Sequence, residues 1–257
     1  MSRQARRADK VQRVPDEYGE WWVPETTGRT PSVVLVHGGF WQPGFDRHLE
    51  DDLASDLCQR GFLVWNVDYQ PAAVGWPAPL VSTAAAYDRL STGSFADRVD
   101  RERVAVVGHS AGGQLALWLA SRARLAADDP GSPHGSWLRP ALVVGQAPVA
   151  ALAAAADEDL GHGAAVELCG GTPANRPDRY RVADPSALVP AACPVVLIHG
   201  RGDDIVPLSQ SRLYEAAGYS AHADVRLIVV DGGHFEHLEP KSVACQRLRD
   251  VLLPWMH

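Results

Sequence analysis

Short apolar runs alternate with longer amphipathic segments along most of the chain. Apolar runs of strand length cover residues 33–37, 62–68, 104–108, 141–146, 194–199 and 225–230. Segments with helical periodicity cover residues 49–60, 80–90, 114–122, 209–217 and 242–253. Apolar strands that alternate with helices are typical of a mainly parallel sheet with helices on both faces. The sequence therefore predicts an α/β fold built from repeated βαβ units.

Three other segments complete the predicted architecture. Residues 20–24 contain two tryptophans and end in Pro24, which favours an antiparallel strand at the edge of the sheet. Residues 150–192 are too long for a simple loop in a compact domain, so we expect a small helical cap there, with helices at 150–160 and 163–170. Residues 128–137 are rich in proline and glycine and predict a surface loop.

The composition indicates one soluble domain with a small-molecule partner. The chain has 257 residues, of which 46% are hydrophobic and 21% charged, and we expect a single catalytic domain over residues 19–257. Five basic residues among the first thirteen predict a flexible basic arm over residues 1–18. The net charge of −7 argues against a nucleic-acid partner.

Without a secretory signal or a long apolar span, we expect a cytoplasmic protein that does not bind membranes. The oligomeric state stays open.

The cysteines and histidines do not have the spacing of a metal site. Cys58, Cys169, Cys193 and Cys245 are widely spaced and form no C-x-x-C motif, so we expect reduced, structural thiols. His234 and His237 are three residues apart beside acidic residues, but no H-E-x-x-H spacing occurs. We therefore expect neither a metal nor another cofactor.

The strongest chemical signal is a serine between glycines. An apolar run ends in Gly108-His109-Ser110-Ala111-Gly112, and a helical pattern follows. A G-x-S-x-G motif at a strand-to-helix turn lifts the serine hydroxyl above the sheet, and small residues are needed on both sides. Ser110 is the predicted nucleophile.

A serine nucleophile needs a base and a carboxylate that orients the base. Residues 194–199 end in a loop that contains Asp203 and Asp204. The strand 225–230 ends in a glycine-containing loop with His234. We predict His234 as the base and Asp203 as the acid.

The loop after residues 33–37 is a candidate oxyanion hole. A glycine pair, Gly38 and Gly39, lets backbone N–H groups approach a substrate oxygen without a Cβ in the way. The amides of Gly39 and Phe40, together with that of Ala111, would bind the oxyanion. We expect Phe40 and Trp41 to contact substrate because they adjoin this loop.

These motifs together resemble the α/β-hydrolase family from about Trp21 to the C-terminus. The stretch His37-Gly-Gly-Phe-Trp41 and the pair His234-Phe235 resemble kynurenine formamidase (arylformamidase)-like hydrolases. The stretch His199-Gly-x-x-Asp203-x-x-Val-Pro207 resembles the acid loop of esterases and prolyl-oligopeptidase-like enzymes. The resemblance implies an α/β-hydrolase fold and favours Asp203 over Asp204.

Several assignments have alternatives. His109 is expected to pack inside the elbow, and His37 and His199 are expected to order their own loops. His237 remains an alternative base.

Asp231 and Asp68 remain alternative acids, and capping or turn formation is their structural interpretation.

The sequence thus predicts a cofactor-independent serine hydrolase that cleaves a small carboxylic ester or an activated amide such as an N-formyl arylamine. The alternatives are a prolyl-oligopeptidase-like peptidase or a thioesterase. A non-enzymatic alternative is a ligand-binding module of the same fold.

Overall fold

One twisted sheet organises the chain. The computed structural model describes residues 11–133 and 137–256. The strands are β1 Gln12–Asp16, β2 Gly19–Val23, β3 Thr30–Val36, β4 Leu63–Val67, β5 Val99–His109, β6 Leu142–Gln146, β7 Val195–Gly200 and β8 Val225–Val230. Their order in the sheet is β1-β2-β4-β3-β5-β6-β7-β8. Strands β1 and β2 are antiparallel to their neighbours, and β3 to β8 are parallel. The carboxyl ends of the parallel strands therefore lie at one edge.

Helices cover both faces of this sheet. They are α1 Asp51–Gln59, α2 Ala78–Thr92, α3 Ala111–Ser121, α4 Leu152–Asp157, α5 Ala164–Cys169, α6 Pro177–Ala183, α7 Ser209–Ser220 and α8 Val243–Leu252. Alternate residues of β3 contribute to two apolar clusters, with Val33 in one and Val34 in the other. The cluster of Val33 includes side chains of α1 and α8, and the cluster of Val34 includes side chains of α2, α3 and α7. The predicted α/β architecture is thus present. No helix among the described residues is both long and apolar enough to cross a bilayer.

The prediction of a flexible N-terminal arm is wrong for the residues of that arm that the structure describes. Residues 12–16, inside the predicted arm 1–18, form β1 and pair with β2. Arg13 stabilises this pairing, because its Nε donates to Glu20 at 2.8 Å and its guanidinium lies 4.3 Å from the Trp22 ring centroid. Residues 1–10 lie outside the described residues. Because β1 takes the edge position, the predicted edge strand β2 lies inside the sheet.

Three short helices lie between β6 and β7, where the sequence predicts a cap over residues 150–192. Helices α4 and α5 match the two predicted helices, and α6 was not predicted. The segment is fixed to α3, because the Gln114 Nε2 donates to the carbonyl oxygen of Ala183 at 2.8 Å and the Trp118 indole donates to that of Val182 at 2.9 Å. Its buried side chains belong to the same cluster as α3. The predicted loop 128–137 contains no helix or strand in its described residues, and residues 134–136 lie outside them.

Candidate active site

Ser110 forms the turn between β5 and α3. Its backbone has φ 57° and ψ −119°, a conformation that residues with a Cβ rarely adopt. The Ser110 N–H donates to the carbonyl oxygen of Gln146 at 2.9 Å. The Ser110 carbonyl oxygen accepts from the N–H groups of Gln114 and Val149, each at 3.2 Å. These bonds to the adjacent strand and to the first turn of α3 hold the strained conformation.

The glycines around Ser110 make this turn sterically possible. A Cβ at Gly108 would overlap the backbone of Gly112, and a Cβ at Gly112 would overlap the carbonyl oxygens of Val36 and His37. Helix α3 therefore begins in direct backbone contact with the end of β3. The predicted reason for Gly108 and Gly112 is confirmed.

The candidate oxyanion loop lies beside Ser110. Gly39, Phe40 and Trp41 have φ values of 107°, 49° and 57°, so the chain turns sharply after β3. The Gln42 N–H donates to the Gly39 carbonyl oxygen at 3.0 Å, and this bond closes the turn.

The neighbouring amide of Ala111 is the first of α3. The first N–H groups of a helix have no intrahelical acceptor and carry the positive end of its dipole. A Cβ built on Gly38 would lie 3.1 Å from the Ser110 Cβ, so the loop and the serine are in close contact. The predicted donors Gly39, Phe40 and Ala111 thus belong to segments that meet at Ser110.

Asp203 and His234 are hydrogen-bonded although 31 residues separate them. The His234 Nδ1 lies 2.8 Å from the Asp203 Oδ2. The other carboxylate oxygen accepts from the N–H groups of Val206 at 2.8 Å and Ile205 at 3.0 Å, and the His199 Nε2 lies 3.4 Å from Oδ2. The structure therefore brings together the predicted acid and the predicted base.

The hydrogen bonds decide the ionisation of Asp203. Burial by itself would raise the pKa of this carboxyl. The hydrogen bonds from His199, His234 and the Val206 amide outweigh burial and hold the pKa of Asp203 well below its usual range. An ionised carboxylate is an acceptor only, so the His234 Nδ1 carries the proton and the neutral ring keeps its lone pair at Nε2.

His109 connects the serine turn to His234. It precedes Ser110 in the chain, and its Nε2 lies 3.0 Å from the backbone carbonyl oxygen of His234. The two ring centroids are 4.6 Å apart. The imidazole is buried, as the predicted packing role requires, but its hydrogen bond to the loop after β8 is not visible in the sequence.

A cleft of about 470 Å³ opens beside the oxyanion loop. Its lining residues come from three loops: Gly39, Phe40, Gln42, Phe45, Gly161, His162, Asp204 and Ile205. Phe45 lies against Gly39, and the Phe40 ring lies against Gly161. The predicted contact residue Phe40 lines this cleft. Phe45 and Ile205 were not predicted, because nothing in their local sequence marks them.

Trp41 does not line the cleft, so its predicted role as a substrate contact is wrong. The side chain is 1% exposed and lies in the core. Its indole N–H donates to the Gln114 Oε1 at 3.1 Å, and a tryptophan whose N–H has a partner packs well inside a protein. The residue therefore fixes the oxyanion loop to α3.

The alternative histidines have other positions. The His199 Nδ1 lies 2.7 Å from the Ser211 Oγ, and its Nε2 donates to the Val206 carbonyl oxygen at 2.9 Å. His199 therefore orders the loop that carries Asp203. The His37 Nδ1 donates to the Gly38 carbonyl oxygen at 2.8 Å. His237 is fully buried, and burial lowers its pKa to about 3.

The alternative acids have other contacts. Asp204 lines the cleft, and Asp231 is exposed with its Oδ1 3.6 Å from the Arg201 Nε. Asp68 accepts from the Arg47 N–H at 2.9 Å. Within the described part of the chain, no group of three or more His, Cys, Asp or Glu side chains is arranged to hold a metal ion.

The chain is similar in sequence and in structure to several known esterases. The esterase LipC of Mycobacterium tuberculosis is 30% identical over 206 residues, which are 73% of this chain and 48% of LipC. The structure of esterase B from Lactobacillus rhamnosis (HN001) superposes with a TM-score of 0.77 at 21% identity, over 92% of this chain and 79% of that one. An acetyl ester-xyloside bifunctional hydrolase from Caldicellulosiruptor lactoaceticus gives a TM-score of 0.74 at 22% identity, over 93% and 89% of the two chains.

These similarities confirm the predicted α/β-hydrolase fold. The chain spans about half the length of the curated esterases that it matches. The grouping with kynurenine formamidase-like hydrolases stays a prediction. A family model described as BD-FAE matches residues 21–217. The chain therefore belongs to the BD-FAE family.

Proposed function

We propose that this protein is a serine hydrolase of small carboxylic esters, with Ser110 as nucleophile, His234 as general base and Asp203 as the orienting acid. The observation that carries the proposal is the Asp203–His234 hydrogen bond beside a strained serine turn. A hydroxyl is a weak nucleophile near neutral pH, so it needs a base whose proton state is fixed. Asp203 supplies this, because it holds the proton at Nδ1 and leaves Nε2 to accept the Ser110 proton.

The proposed reaction has two stages. Ser110 Oγ attacks the ester carbonyl carbon while its proton passes to the His234 Nε2, and His234 then protonates the leaving alcohol. The acyl group stays on Ser110 until a water molecule, deprotonated by His234, attacks the acyl-enzyme and releases the acid. In both stages negative charge develops on the carbonyl oxygen. The Gly39, Phe40 and Ala111 amides are proposed to bind this oxygen, and one such donor is typically worth about 3–4 kcal/mol.

The burial of the centre favours a small acyl group. Ser110 is 2% exposed and His234 is 4% exposed, so the reacting groups lie below the protein surface, where a short acyl group reaches them most easily. The neighbouring cleft, with Phe45 and Ile205 partly exposed on its walls, is proposed to hold the leaving group. The named esterases among the relatives and an acetyl ester hydrolase among the similar structures support the ester class.

An N-formyl arylamine is the second candidate substrate, since a formyl group is the smallest acyl group and the His37-to-Trp41 stretch resembles arylformamidases. Peptide and thioester hydrolysis remain alternatives, and a ligand-binding module is the non-enzymatic one. We keep a cytoplasmic location and the absence of nucleic-acid and membrane partners as predictions.

One preparation tested on three substrates separates these functions. We expect kcat/KM to be highest for p-nitrophenyl acetate, lower for p-nitrophenyl octanoate because the longer chain does not fit, and intermediate for N-formylkynurenine. Ser110→Ala should lose at least about 1,000-fold in kcat for every substrate. A clear preference for N-formylkynurenine would establish the formamidase instead. Turnover that survives Ser110→Ala would refute the proposed mechanism.

A further inference from the structure

One buried side chain lies beside the serine turn, the His234 loop and the oxyanion loop. His109 is 3% exposed, lies next to Ser110 in the chain and contacts the His234 carbonyl oxygen through Nε2 at 3.0 Å. On its other side, a Cβ built on Gly38 would lie 3.1 Å from the His109 Nδ1, so the ring also lies against the oxyanion loop.

The protonation of His109 follows from its partners. A carbonyl oxygen only accepts, so the His109 Nε2 must donate. Burial lowers the pKa of His109 well below its ordinary value, and the neighbouring His234 and His237 lower it further. The imidazole is therefore neutral near pH 7, with its one proton in the bond to His234.

The loop that carries His234 contains two adjacent glycines. Gly232, with φ 135°, and Gly233 precede the histidine, and glycines leave a backbone free to rotate. The Gly202 N–H donates to the Gly232 carbonyl oxygen at 2.9 Å, which fixes the peptide group between the two glycines but not the peptide group after His234. The His109 bond acts on the peptide group of His234 itself, directly from the residue before the nucleophile.

We infer that His109 is a positioning residue that fixes the distance between Ser110 and His234 through the carbonyl oxygen of His234. This inference rests on the proposed function. It assigns His109 no proton transfer to substrate: its hydrogen bond sets where the His234 ring lies. A displacement of about 1 Å in a catalytic group can cost about 100-fold in rate, so one neutral hydrogen bond can control turnover.

Four variants separate positioning from packing. His109→Gln keeps an amide N–H at about the reach of Nε2, whereas His109→Asn carries the same group on a side chain one methylene shorter. His109→Leu has no donor. The matched control is His237→Leu, because His237 is also a buried histidine, lies three residues after His234, and has no hydrogen-bond partner at either ring nitrogen among the described residues.

The rates on p-nitrophenyl acetate should follow the donor. We expect kcat to fall about 100-fold in H109N and H109L with KM within about twofold of wild type. H109Q should stay within about tenfold of wild type, and H237L within about twofold. Equal kcat values in H109Q and H109N, or a loss in H109L no larger than in H237L, would overturn the inference.

A spectroscopic measurement keeps the test independent of turnover. The proton between the His234 Nδ1 and Asp203 should give a low-field ¹H resonance, which we expect to shift or broaden in H109N and not in H109Q or H237L. An unchanged resonance in H109N would overturn the inference even if the variant is less active. If wild type shows the resonance and its dependence on His109 but hydrolyses no ester, the proposed function fails and the positioning contact stands.

Discussion

Two buried carboxyl groups of this protein have opposite electrostatic states. Asp203 lies in the loop after β7, and Glu50 ends the 3₁₀ turn Arg47–Glu50 that precedes α1. The Asp203 side chain is fully buried and Glu50 is 2% exposed. Burial penalises the charged form of both groups, yet the pKa of Asp203 is held well below its usual range while that of Glu50 is raised to about 8.

The difference lies in the donors. Asp203 accepts hydrogen bonds from His234 and from the backbone N–H groups of Ile205 and Val206. The Glu50 Oε1 has no hydrogen-bond partner among the described residues, and desolvation is the one cause that raises its pKa. Depth in the structure therefore does not decide the charge of a carboxyl; the donors around it do. Asp203 is ionised and accepts a hydrogen bond from His234, whereas the buried Glu50 lowers stability near neutral pH.

Removing the charge from Asp203 should have the largest effect. Asp203→Asn keeps the shape of the side chain, but its amide favours the wrong His234 tautomer. We therefore expect kcat for p-nitrophenyl acetate to fall about 10⁴-fold, as the same change does in the Ser-His-Asp triad of serine proteases. The control is Asp204→Asn, a neighbouring acid that lines the cleft without contacting His234 in the structure. It should stay within a few-fold. If Asp204→Asn were the damaging change, the acid would be assigned to the wrong residue.

Neutralising Glu50 should raise stability, with a sign set by pH. The unfolded chain loses the Glu50 proton above its ordinary pKa of 4.5, whereas the folded protein keeps it up to about pH 8. Stability therefore falls as pH rises through this window. Glu50→Gln removes the loss, so its free energy of unfolding should exceed that of wild type by about 4 kcal/mol at pH 7.5 and nearly match it at pH 4.5.

Urea denaturation at the two pH values measures this gain. Glu25→Gln, at an exposed glutamate, is the control and should change neither value. An equal effect of E50Q at both pH values would mean that Glu50 has a partner in the folded protein. Activity should be unaffected by either variant.

His237 should destabilise the protein at acid pH. Below its ordinary pKa of 6.5 the unfolded chain binds a proton that the folded protein accepts only near pH 3. Stability therefore falls as pH decreases from 6.5, by about 2 kcal/mol at pH 5. Replacement in H237L should remove that fall, as seen by urea denaturation at pH 7 and pH 5. His222→Asn, at an exposed histidine, should retain the wild-type pH dependence.

Chelation should have the smallest effect. The contacts of Asp203 are N–H donors, so its oxygens act as acceptors in hydrogen bonds rather than as metal ligands. We expect kcat on p-nitrophenyl acetate to be unchanged after dialysis against a strong chelator. Activity that disappears and returns with a divalent cation, while the circular dichroism stays constant, would contradict the proposed mechanism.

The sequence predicts the parts of this site that depend on local pattern. Ser110, Asp203 and His234 each follow an apolar strand, and parallel strands bring their carboxyl ends together, so periodicity and motif are enough to select them as candidates. Glu50 and His109 could not be predicted in the same way. Their properties depend on whether a donor or an acceptor lies opposite, and the partner of His109 is 125 residues away in the sequence.

Two errors have similar causes. The basic residues near the N-terminus suggested an arm, but Arg13 finds Glu20 and Trp22 only because β1 pairs with β2. Trp41 adjoins the oxyanion loop in sequence, but the left-handed turn directs its ring into the core, where Gln114 accepts its N–H. In both cases a tertiary contact overrides what the neighbouring residues indicate.

Mapping the site of covalent labelling tests the central claim most directly. A fluorophosphonate reacts with a serine hydroxyl that a base activates, so wild type should be modified stoichiometrically with loss of esterase activity. Peptide mapping by mass spectrometry should place the adduct on Ser110, and labelling should be absent in Ser110→Ala and strongly slowed in His234→Ala. An adduct on another serine, or full labelling of Ser110→Ala, would contradict the account.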